Sequence, residues 1–543
     1  MTAVATANWQ RRRKFYAWGA EDEGASADEA RAIERTWAEP LGVDSFETTP
    51  TPTLDDIDLK PSRTITIPAA LNEICRTDPY ERALHTYGKS FMESARCFAR
   101  DFADAPDAVA YPRHEADIAA LLDWCGGAEF AAIPYGGGSS AVYGINPAVG
   151  DRFKGTVTID MSSMNRVLDA DTVSRAARVQ AGVFGPDLDA QLKPHGLSLR
   201  FFMQAYPYSS LGGWIATRAA GHYVTGTTHI DDFVESVRMI TPSGAWESRR
   251  LPASGAGPSP DRFAIGSEGS MGIITEAWLR LPSRPVHRCG ATFGFADFYD
   301  GVEALREIAQ SGLSPANCRL IDPREAGLTG AYDGSHAVLV LSFESAHHPV
   351  EPWLAIAAEA CRDLGGVTVE ALAPASGDTQ STAAARWRQA FVREPFYREV
   401  KTARGIGRET CETAIPWSGF RELHEAVKAR TAEAIRAVTG REGTVTCRIT
   451  HIYPDGPAPY FTYHFLCDKK RMVEQAMAIK SVAYDAMTEH GGTITHHHAI
   501  GRLHMPWYVK QRPQLFGAVL RSAKQTLDPH EIMNPGVIVE PSP

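Results

Sequence analysis

The sequence predicts an α+β protein with two different halves. In the first half, strand-like runs at residues 109–112 and 130–134 flank a helical pattern at residues 115–125, and such alternation is typical of an α/β unit. In the second half, two strand-like runs, Thr446–Tyr453 and Tyr460–Cys467, follow each other between amphipathic helices. This order favours an antiparallel sheet covered by helices.

Composition and prolines divide the chain into three segments. Residues 1–103 begin with a polar, proline-rich stretch that predicts an extended or partly helical wrap, and they become helical around Ile67–Phe98. The run Pro282-Ser283-Arg284-Pro285 marks a boundary, because proline interrupts regular structure. We therefore expect an α/β domain over residues 104–285 and a C-terminal domain over residues 286–543.

The remaining elements follow from the hydrophobic pattern. Arg421–Val438 carries apolar residues on one stripe, and Gly440 stands where a helix commonly ends. Further helices are predicted at Phe298–Gln310, Pro352–Leu364 and Met472–Thr488. Further strands are predicted at Gly155–Met161, Ala177–Ala181, Val234–Ile240, Met271–Leu281 and Ala337–Phe343.

Charge and cysteine content narrow the class of protein. The chain has 543 residues and a net charge of -10, so no nucleic-acid partner is expected. Nine scattered cysteines without a C-x-x-C pair predict reduced thiols and a cytoplasmic location. The basic run Arg11–Lys14 is expected to be a solvated face, with a membrane-surface contact as the minority alternative.

A glycine-rich loop, Pro134-Tyr135-Gly136-Gly137-Gly138-Ser139-Ser140, follows the apolar run Ala131–Ile133. Three glycines leave backbone N–H groups open to a diphosphate, and the serines add hydroxyl donors. The spacing differs from G-x-G-x-x-G, and Gly88-Lys89-Ser90 lacks the first glycine of a P-loop. The loop predicts phosphate binding, with a plain turn as the alternative.

Two further segments share this composition. Ser209–Gly221 is rich in small residues and hydroxyls, so it can lie along a cofactor and bond it through the backbone. A tightly packed core helix or loop is the alternative for this segment. Gly266–Ile273 contains three glycines and runs into a strand, which again suggests close backbone approach to a ligand.

In this order and spacing, the three segments resemble the FAD domain of the vanillyl-alcohol oxidase (PCMH) type. With Cys318-Arg319-Leu320, Glu412–Trp417, Cys447–Thr450 and His496–Gly501, the chain resembles the alkyldihydroxyacetonephosphate synthase family from about Tyr16 to its end. The resemblance implies a two-subdomain FAD-binding domain, then a cap domain with an antiparallel sheet. It implies FAD held without a covalent bond, and Gly136–Ser140 contains no histidine that could carry one. The cofactor-binding residues that it implies are Pro134, Tyr135, Gly136, Gly137, Gly138, Ser139, Ser140, Gln204, Tyr208, Ser209, Ser210, Gly213, Thr217, Arg218, Ala219, Ala220, Glu268, Gly269, Gly272 and Ile273.

The resemblance also implies a reaction. In this family the flavin, through N5, displaces the acyl group of acyl-dihydroxyacetone phosphate, a long-chain alcohol then attacks, and no net electron transfer occurs. The phosphate needs cations, preferably a planar fork. Arg398 matches the family's substrate-phosphate arginine, and Arg319 matches another on which activity depends. Without the resemblance, either residue would be interpreted as part of an ion pair.

Tyr460 matches the family's catalytic tyrosine, an acid/base group for the proton at C1 of the substrate. Strand alternation places Tyr460, Thr462 and His464 on one face, and the apolar Phe461 and its neighbours on the other. A free tyrosine has a pKa of about 10, so we expect a cation or histidine nearby. A core tyrosine with a satisfied hydroxyl is the alternative.

His496, His497 and His498 match the family's essential histidine run. Adjacent side chains point in different directions, so we expect one or two of them to be catalytic and one to be structural. A metal site is the other interpretation. We predict no metal, since no carboxylate or cysteine stands beside the run at ligand spacing.

One position departs from the family pattern. The family carries a histidine in a Gly-His-Glu-Pro context before the second flavin segment, and here Phe201 takes its place within Arg200–Gln204. We expect Phe201 to be a substrate-binding residue, and an FAD-dependent oxidase or dehydrogenase of an alcohol, phenol or hydroxy acid stays open as the alternative. The resemblance implies lipid substrates, a peripheral membrane contact and a homodimer.

Overall fold

The structure, a computed structural model, describes residues 11–63, 65–223, 228–371 and 383–541, without the side chains of residues 370–371 and 383–386. Residues 1–10, at the start of the predicted N-terminal segment, lie outside these ranges. Within them, two sheets form the first half of the chain, one large sheet forms the second half, and a short two-stranded sheet belongs to the N-terminal segment. The predicted α+β class is confirmed.

The N-terminal segment contacts both halves. Its first helix begins at a capping box formed by Ser26 and Glu29. The helical stretch predicted around Ile67–Phe98 holds two helices with breaks between the elements, because Asp78 and Pro79 begin a new short helix and Gly88 lies directly against Ser140. The elements are α1 (Ala27–Ala38), β1 (Asp58–Leu59), β2 (Cys75–Arg76), α2 (Pro79–Leu84), α3 (Phe91–Phe98) and β3 (Asp101–Phe102).

A four-stranded sheet, largely parallel, follows. It is built from β4 (Ala108–Ala110), β5 (Phe130–Tyr135) and β6 (Gly155–Asp160), with α4 (Glu115–Ala128) as the crossover, in the order β2-β4-β6-β5. Parallel strands are covered on both faces, which explains their continuous apolar composition. Near the end of the chain, Met533 pairs in parallel with Ala132 and covers the free edge of β5.

A five-stranded antiparallel sheet completes the first half, in the order β10-β9-β11-β8-β7. The glycine-rich segments predicted to bind a cofactor lie between its elements and the four-stranded sheet. The elements are β7 (Val167–Asp171), β8 (Ala176–Gln180), α5 (Gly185–Leu192), α6 (Leu211–Thr217), α7 (Ile230–Phe233), β9 (Val234–Thr241), β10 (Gly244–Glu247), α8 (Pro260–Ala264) and β11 (Ile273–Arg280).

The second half is a seven-stranded antiparallel sheet with helices packed on it. The strands are β12 (His287–Phe295), β13 (Asn317–Ile321), β14 (Ala337–Ser345), β15 (Val367–Ala371), β16 (Ile406–Glu412), β17 (Thr444–Ile452) and β18 (Pro457–Leu466), in the order β15-β12-β14-β13-β17-β18-β16. The helices are α9 (Phe298–Gln310), α10 (Pro323–Leu328), α11 (Glu351–Asp363), α12 (Ala383–Ala403), α13 (Phe420–Thr439), α14 (Met472–Glu489), α15 (Met505–Gln511) and α16 (Gln514–Leu527).

The two faces of this sheet differ in chemistry. Phe461, Tyr463 and Phe465 of β18 are fully buried in the core beneath α13 and α14, as the predicted alternation requires. The opposite face carries Tyr460 and turns toward the first half and α12. Because paired residues in a sheet point to the same side, this second face collects polar side chains from several strands.

Two further features concern membrane-spanning helices and the state of the cysteines. None of the helices in the described ranges combines the length and apolar character that a bilayer span requires. All nine cysteines are free thiols, as predicted, and eight of them are buried.

Candidate active site

A cavity of about 320 Å³ lies where the two sheets of the first half meet the polar face of the large sheet. The glycine-rich loop, α6 and the start of β11 form one side of it, and β13, β17, β18 and α12 form the other. Every predicted cofactor-binding residue lines this cavity except Tyr208 and Arg218. The three segments are therefore brought together as the sequence predicted, although their individual roles stay predictions.

The glycine-rich loop is glycine because neighbouring atoms leave no room for side chains. A Cβ on Gly136 would overlap the Ser210 hydroxyl, and a Cβ on Gly137 would overlap the Tyr208 carbonyl. Gly138 has φ +74°, a conformation that favours glycine. The loop thus presents backbone to the cavity, which is the surface that a diphosphate needs.

The second segment folds as a short helix rather than as a loop lying flat along a ligand. Ser210 caps α6 by accepting a hydrogen bond from the Gly213 N–H at 3.4 Å. Gly213, Thr217, Ala219 and Ala220 still line the cavity. Helix α6 therefore fits both interpretations, because Leu211 and Ile215 are buried in the core while Gly213 and Thr217 line the cavity.

Arg218 and Tyr208 lie outside the cavity lining. Arg218 ends α6 in the left-handed conformation, and its guanidinium pairs with Asp231 at 2.9 Å while 60% of its side chain is exposed. The Tyr208 hydroxyl donates to Glu23 of the N-terminal segment. Sequence proximity placed both in the predicted set, whereas the turn of the backbone directs their side chains elsewhere.

Glu268 joins the two halves at the cavity. Its buried carboxylate accepts hydrogen bonds from the N–H groups of Ile500 and Gly501 at 2.7 and 2.8 Å. Burial raises the pKa of Glu268 to about 7. The carboxylate thus holds the segment that follows the histidine run against the first half of the chain.

The lining residues of the first half fit FAD. Backbone without side chains borders the cavity at Gly136–Gly138, Gly213 and Gly269, where a diphosphate and a flat ring system could approach closely. Ser139, Ser140 and Thr217 add hydroxyl groups to the same wall.

A row of charged and polar side chains crosses the large sheet on the cavity face. Tyr460 of β18 stands between Glu412 of β16 and Arg448 of β17, to which it is paired across the strands. The Arg448 guanidinium lies over the Tyr460 ring at 4.0 Å, so a cation does stand beside the tyrosine. The Tyr460 hydroxyl makes no hydrogen bond within the described residues, and the side chain lines the cavity.

Among the residues that the structure describes, four arginines line the cavity, and two of them form ion pairs with carboxylates. Arg448 pairs with Glu325 and Arg408 pairs with Glu394, both at 2.8 Å. Within the described ranges, Arg319 and Arg398 form no ion pair, although Arg319 is only 3% exposed. The site therefore carries surplus positive charge, which attracts an anionic group.

Arg319 is held by aromatic rings instead of a carboxylate. Its guanidinium lies over Trp387 at 4.6 Å, and one terminal nitrogen is 3.3 Å from a ring nitrogen of His222. Its buried Nε finds no hydrogen-bond partner among the described residues, and burial next to Arg448 lowers the pKa of Arg319. An unsatisfied buried donor of this kind marks a place where a ligand atom could be bound.

One carboxylate organises the histidine run. Glu412 accepts the backbone N–H groups of His496 at 2.8 Å, His497 at 3.2 Å and His498 at 3.0 Å, and the Thr495 hydroxyl also donates to it. These hydrogen bonds and the nearby imidazoles hold the pKa of Glu412 far below its usual range. Burial in turn lowers the pKa of the three imidazoles.

The three histidines do point in different directions. His497 and His498 line the cavity, with ring centroids 6.0 and 5.3 Å from that of Tyr460. His496 turns away, and its Nε2 lies 2.7 Å from the Tyr453 hydroxyl and 3.1 Å from His229 Nε2. This division agrees with the expectation of one or two catalytic imidazoles and one structural imidazole, and their roles stay predictions.

His451, which the sequence interpretation left out of the site, completes a cluster with His496 and His497. One ring nitrogen from each lies within 4.8 Å of the others, a separation that a metal ion could bridge. Hydrogen bonds already engage these rings, because His451 Nε2 donates to the Gly221 carbonyl and the Nδ1 atoms of His496 and His497 lie 2.9 Å apart. The absence of a metal stays a prediction.

Phe201 does not line the cavity. Its ring is 1% exposed and packs against Trp214 and Phe233 in the core, at centroid distances of 5.6 and 5.5 Å. The predicted contact between Phe201 and the substrate therefore has no support in the geometry. His222, twenty-one residues further along, lines the cavity beside Arg319 instead.

Sequence interpretation also left Arg408 and Arg448 out of the predicted site. Both are arginines inside strands that are almost entirely buried, like Arg319. An arginine in a buried strand requires a partner or a ligand, so this shared pattern could have identified all three. Their pairing with carboxylates of α10 and α12 could not be read from the strands.

Comparisons with known proteins agree with this geometry. The family model "FAD binding domain" matches residues 106–248, and the model "FAD linked oxidases, C-terminal domain" matches residues 284–538. Alkyldihydroxyacetonephosphate synthase of Dictyostelium discoideum is 30% identical over 483 residues, covering 86% of this chain and 78% of that protein. The enzyme of the same name from Trypanosoma brucei brucei is 27% identical over 487 residues, with the same coverage.

A solved structure of an alkyldihydroxyacetonephosphate synthase shares the fold. It superposes with a TM-score of 0.80 at 24% identity, covering 98% of this chain and 99% of that one. The matched FAD models and the fitting cavity assign FAD as the cofactor. The chain belongs to the alkyldihydroxyacetonephosphate synthase family.

Proposed function

We propose that this protein is an FAD-dependent enzyme that exchanges the acyl group of acyl-dihydroxyacetone phosphate for a long-chain alcohol. The observation that carries the proposal is the pair of cavity arginines, Arg319 and Arg398, that lack a carboxylate partner in the described ranges beside Tyr460. A phosphate monoester would supply the missing negative charge, and the planar guanidinium suits it.

Each residue of the site would have a separate role in the reaction. Arg398 would bind the phosphate, and Arg319 would bind a further oxygen of the substrate through its unpartnered Nε. The Tyr460 oxygen would accept the C1 proton and return it, with His497 and His498 as hydrogen-bonding partners in the same wall. When bound, FAD supplies an electrophilic ring to the exchange. Arg448 would stabilise negative charge on Tyr460 from its position 4.0 Å above the ring.

The finer predictions on partners and location belong to this proposal. Substrates with long chains would be drawn from a membrane, so a peripheral membrane contact is part of it. A homodimer and a cytoplasmic location are also proposed from the family resemblance. Co-sedimentation with phospholipid vesicles would test the membrane contact. A molar mass from light scattering would test the homodimer.

The deciding experiment compares transfer with redox chemistry. The purified holoprotein is incubated with palmitoyl-dihydroxyacetone phosphate and hexadecanol, and lipid products are separated by mass spectrometry. Alkyl-ether product without net change in the flavin spectrum is expected. Anaerobic bleaching of the flavin by an alcohol, a phenol or a hydroxy acid, with no ether product, would instead establish the oxidoreductase alternative.

A further inference from the structure

Lys89 opens onto the cavity between the glycine-rich loop and helix α12. Its backbone N–H donates to the Ser140 carbonyl at 2.5 Å, and a Cβ on Gly88 would overlap that same oxygen. The tripeptide Gly88-Lys89-Ser90 is therefore pressed against the loop. Lys89 lines the cavity together with Ser139, Ser140 and Arg398, and a smaller adjoining pocket also brings Lys89 and Arg398 together.

The Lys89 ammonium group stands without an ion-pair partner in the part of the chain that the structure describes. Within the described ranges it makes no hydrogen bond and no ion pair. Burial lowers the pKa of Lys89 to about 8, and the nearby cations Arg13 and Arg398 act in the same direction, while Glu93 and Cys97 oppose them. Arg398 is likewise without an ion pair in these ranges.

The local fold explains the neighbours of Lys89 but not the lysine. Ser90 and Glu93 form the capping box of α3. The Glu93 carboxylate accepts the N–H groups of Gly88 at 2.7 Å and Ser90 at 2.8 Å, so the backbone already uses it. An apolar side chain at residue 89 would leave this helix start unchanged. Lys89 is half-buried, and a partly desolvated cation without a partner is costly, so its presence calls for an anion.

We propose that Lys89 is a phosphate-binding residue, whose ammonium group and the Arg398 guanidinium hold one phosphoryl group between the glycine-rich loop and α12. On the proposed function, on which this inference rests, that group is the phosphate monoester of the substrate. The diphosphate of FAD offers the same chemistry from the other side of the cavity, and the experiment separates the two sources.

The first test compares Lys89→Met, which removes the charge at similar length, with Lys89→Arg, which keeps it. Inorganic phosphate and glycerol 3-phosphate are titrated into each holoprotein, and dissociation constants are read from the perturbed flavin absorption. FAD affinity is measured separately by adding FAD to the apoproteins. Lys89→Met should weaken one of these dissociation constants by about tenfold to a hundredfold, the loss expected for one charge-assisted hydrogen bond, and Lys89→Arg should recover most of it.

The ligand whose binding is weakened identifies the source of the phosphoryl group. Weaker phosphate and glycerol phosphate binding at unchanged FAD affinity assigns Lys89 to the substrate. Weaker FAD binding alone assigns it to the cofactor diphosphate. Unchanged values for all three ligands overturn the proposal. None of these readouts needs alkyl transfer, so they stand even where the proposed reaction fails.

A second test needs no variant and covers the case in which Lys89→Met does not fold. The native holoprotein and its apoprotein are treated briefly with an amine-acetylating reagent, with or without phosphate or FAD, and acetylation is quantified by peptide mass spectrometry. Phosphate or FAD should protect Lys89 several-fold, whereas the exposed Lys510 should react equally throughout. Equal acetylation of Lys89 under all conditions contradicts the proposal.

Discussion

The two walls of the cavity achieve binding by opposite means. The wall formed by the first half of the chain, whose residues fit FAD, is called the cofactor wall. It presents backbone, because Gly136, Gly137 and Gly138 approach their neighbours so closely that no Cβ fits. The wall formed by the large sheet presents buried charge, with Arg319 and Arg448 on adjacent strands and Glu412 beneath the histidines. The first wall depends on the absence of side chains, and the second depends on charged side chains.

This difference has a consequence for substitutions. On the cofactor wall, added atoms displace backbone, so shape and FAD affinity should change together. On the sheet wall, an exchange that keeps volume at a side chain outside the ion pairs, such as Tyr460 or Arg398, should alter chemistry more than the fold.

The largest effect is expected at Tyr460. Tyr460→Phe should keep its FAD and its stability but lose about a hundredfold to ten-thousandfold in kcat, the usual contribution of a general acid or base. Tyr463→Phe is the matched control, because its hydroxyl is buried on the opposite face without a partner. Ether formation is measured at saturating substrate. Equal rates in the two variants would remove Tyr460 from the mechanism.

The next effect concerns the cofactor wall. Gly137→Ala should lose about tenfold to a hundredfold in FAD affinity, because the methyl group must displace the backbone at Tyr208. Gly127→Ala, within α4 and with no atom near the added methyl, should bind FAD normally and unfold at a slightly higher temperature. Flavin fluorescence during apoprotein titration checks both. Normal FAD binding by Gly137→Ala would contradict the account of this wall.

Arg398 should affect substrate binding more than turnover. Arg398→Met is expected to raise KM for the phosphorylated substrate by about tenfold or more, because a charge-assisted hydrogen bond is lost. Arg404, just after α12, pairs with Glu34 outside the cavity, so Arg404→Met serves as the control and should leave KM unchanged. A fall in kcat at unchanged KM would assign Arg398 to the chemical step instead.

The smallest effect is a pH dependence of stability. Burial lowers the pKa of His222, His424, His451, His464 and His504 in the fold. The unfolded chain therefore binds more protons below a pH of about 6.5, and stability must fall as pH drops through that value. The unfolding temperature of the holoprotein should decrease by several degrees between pH 7 and pH 5.

His424 offers a control for this pH effect, because it stacks with Phe298 and Phe420 away from the cavity. Burial lowers its pKa to about 3, so His424→Phe should show a shallower decrease at unchanged activity. An unfolding temperature that stays level or rises toward pH 5 would show that these imidazoles do not govern acid stability.

The sequence predicted the cofactor wall more completely than the sheet wall. A glycine triplet after a strand has a local cause that can be read from consecutive residues, and most of the residues predicted there do line the cavity. Tyr460 and its alternating neighbours were also placed correctly, because strand periodicity is local. Phe201 was misplaced, since whether its ring enters the core depends on Trp214 and Phe233.

By itself, the sequence determined the α+β class, the three segments that line the cavity and the polar face of β18, because each rests on a short-range pattern. Only the tertiary structure decided which cations stay unpaired. Arg448 and Arg408 meet Glu325 and Glu394, while Arg319, Arg398 and Lys89 meet no carboxylate within the described ranges. The physical reason is that charge balance depends on distances between residues far apart in the chain, and packing alone sets those distances.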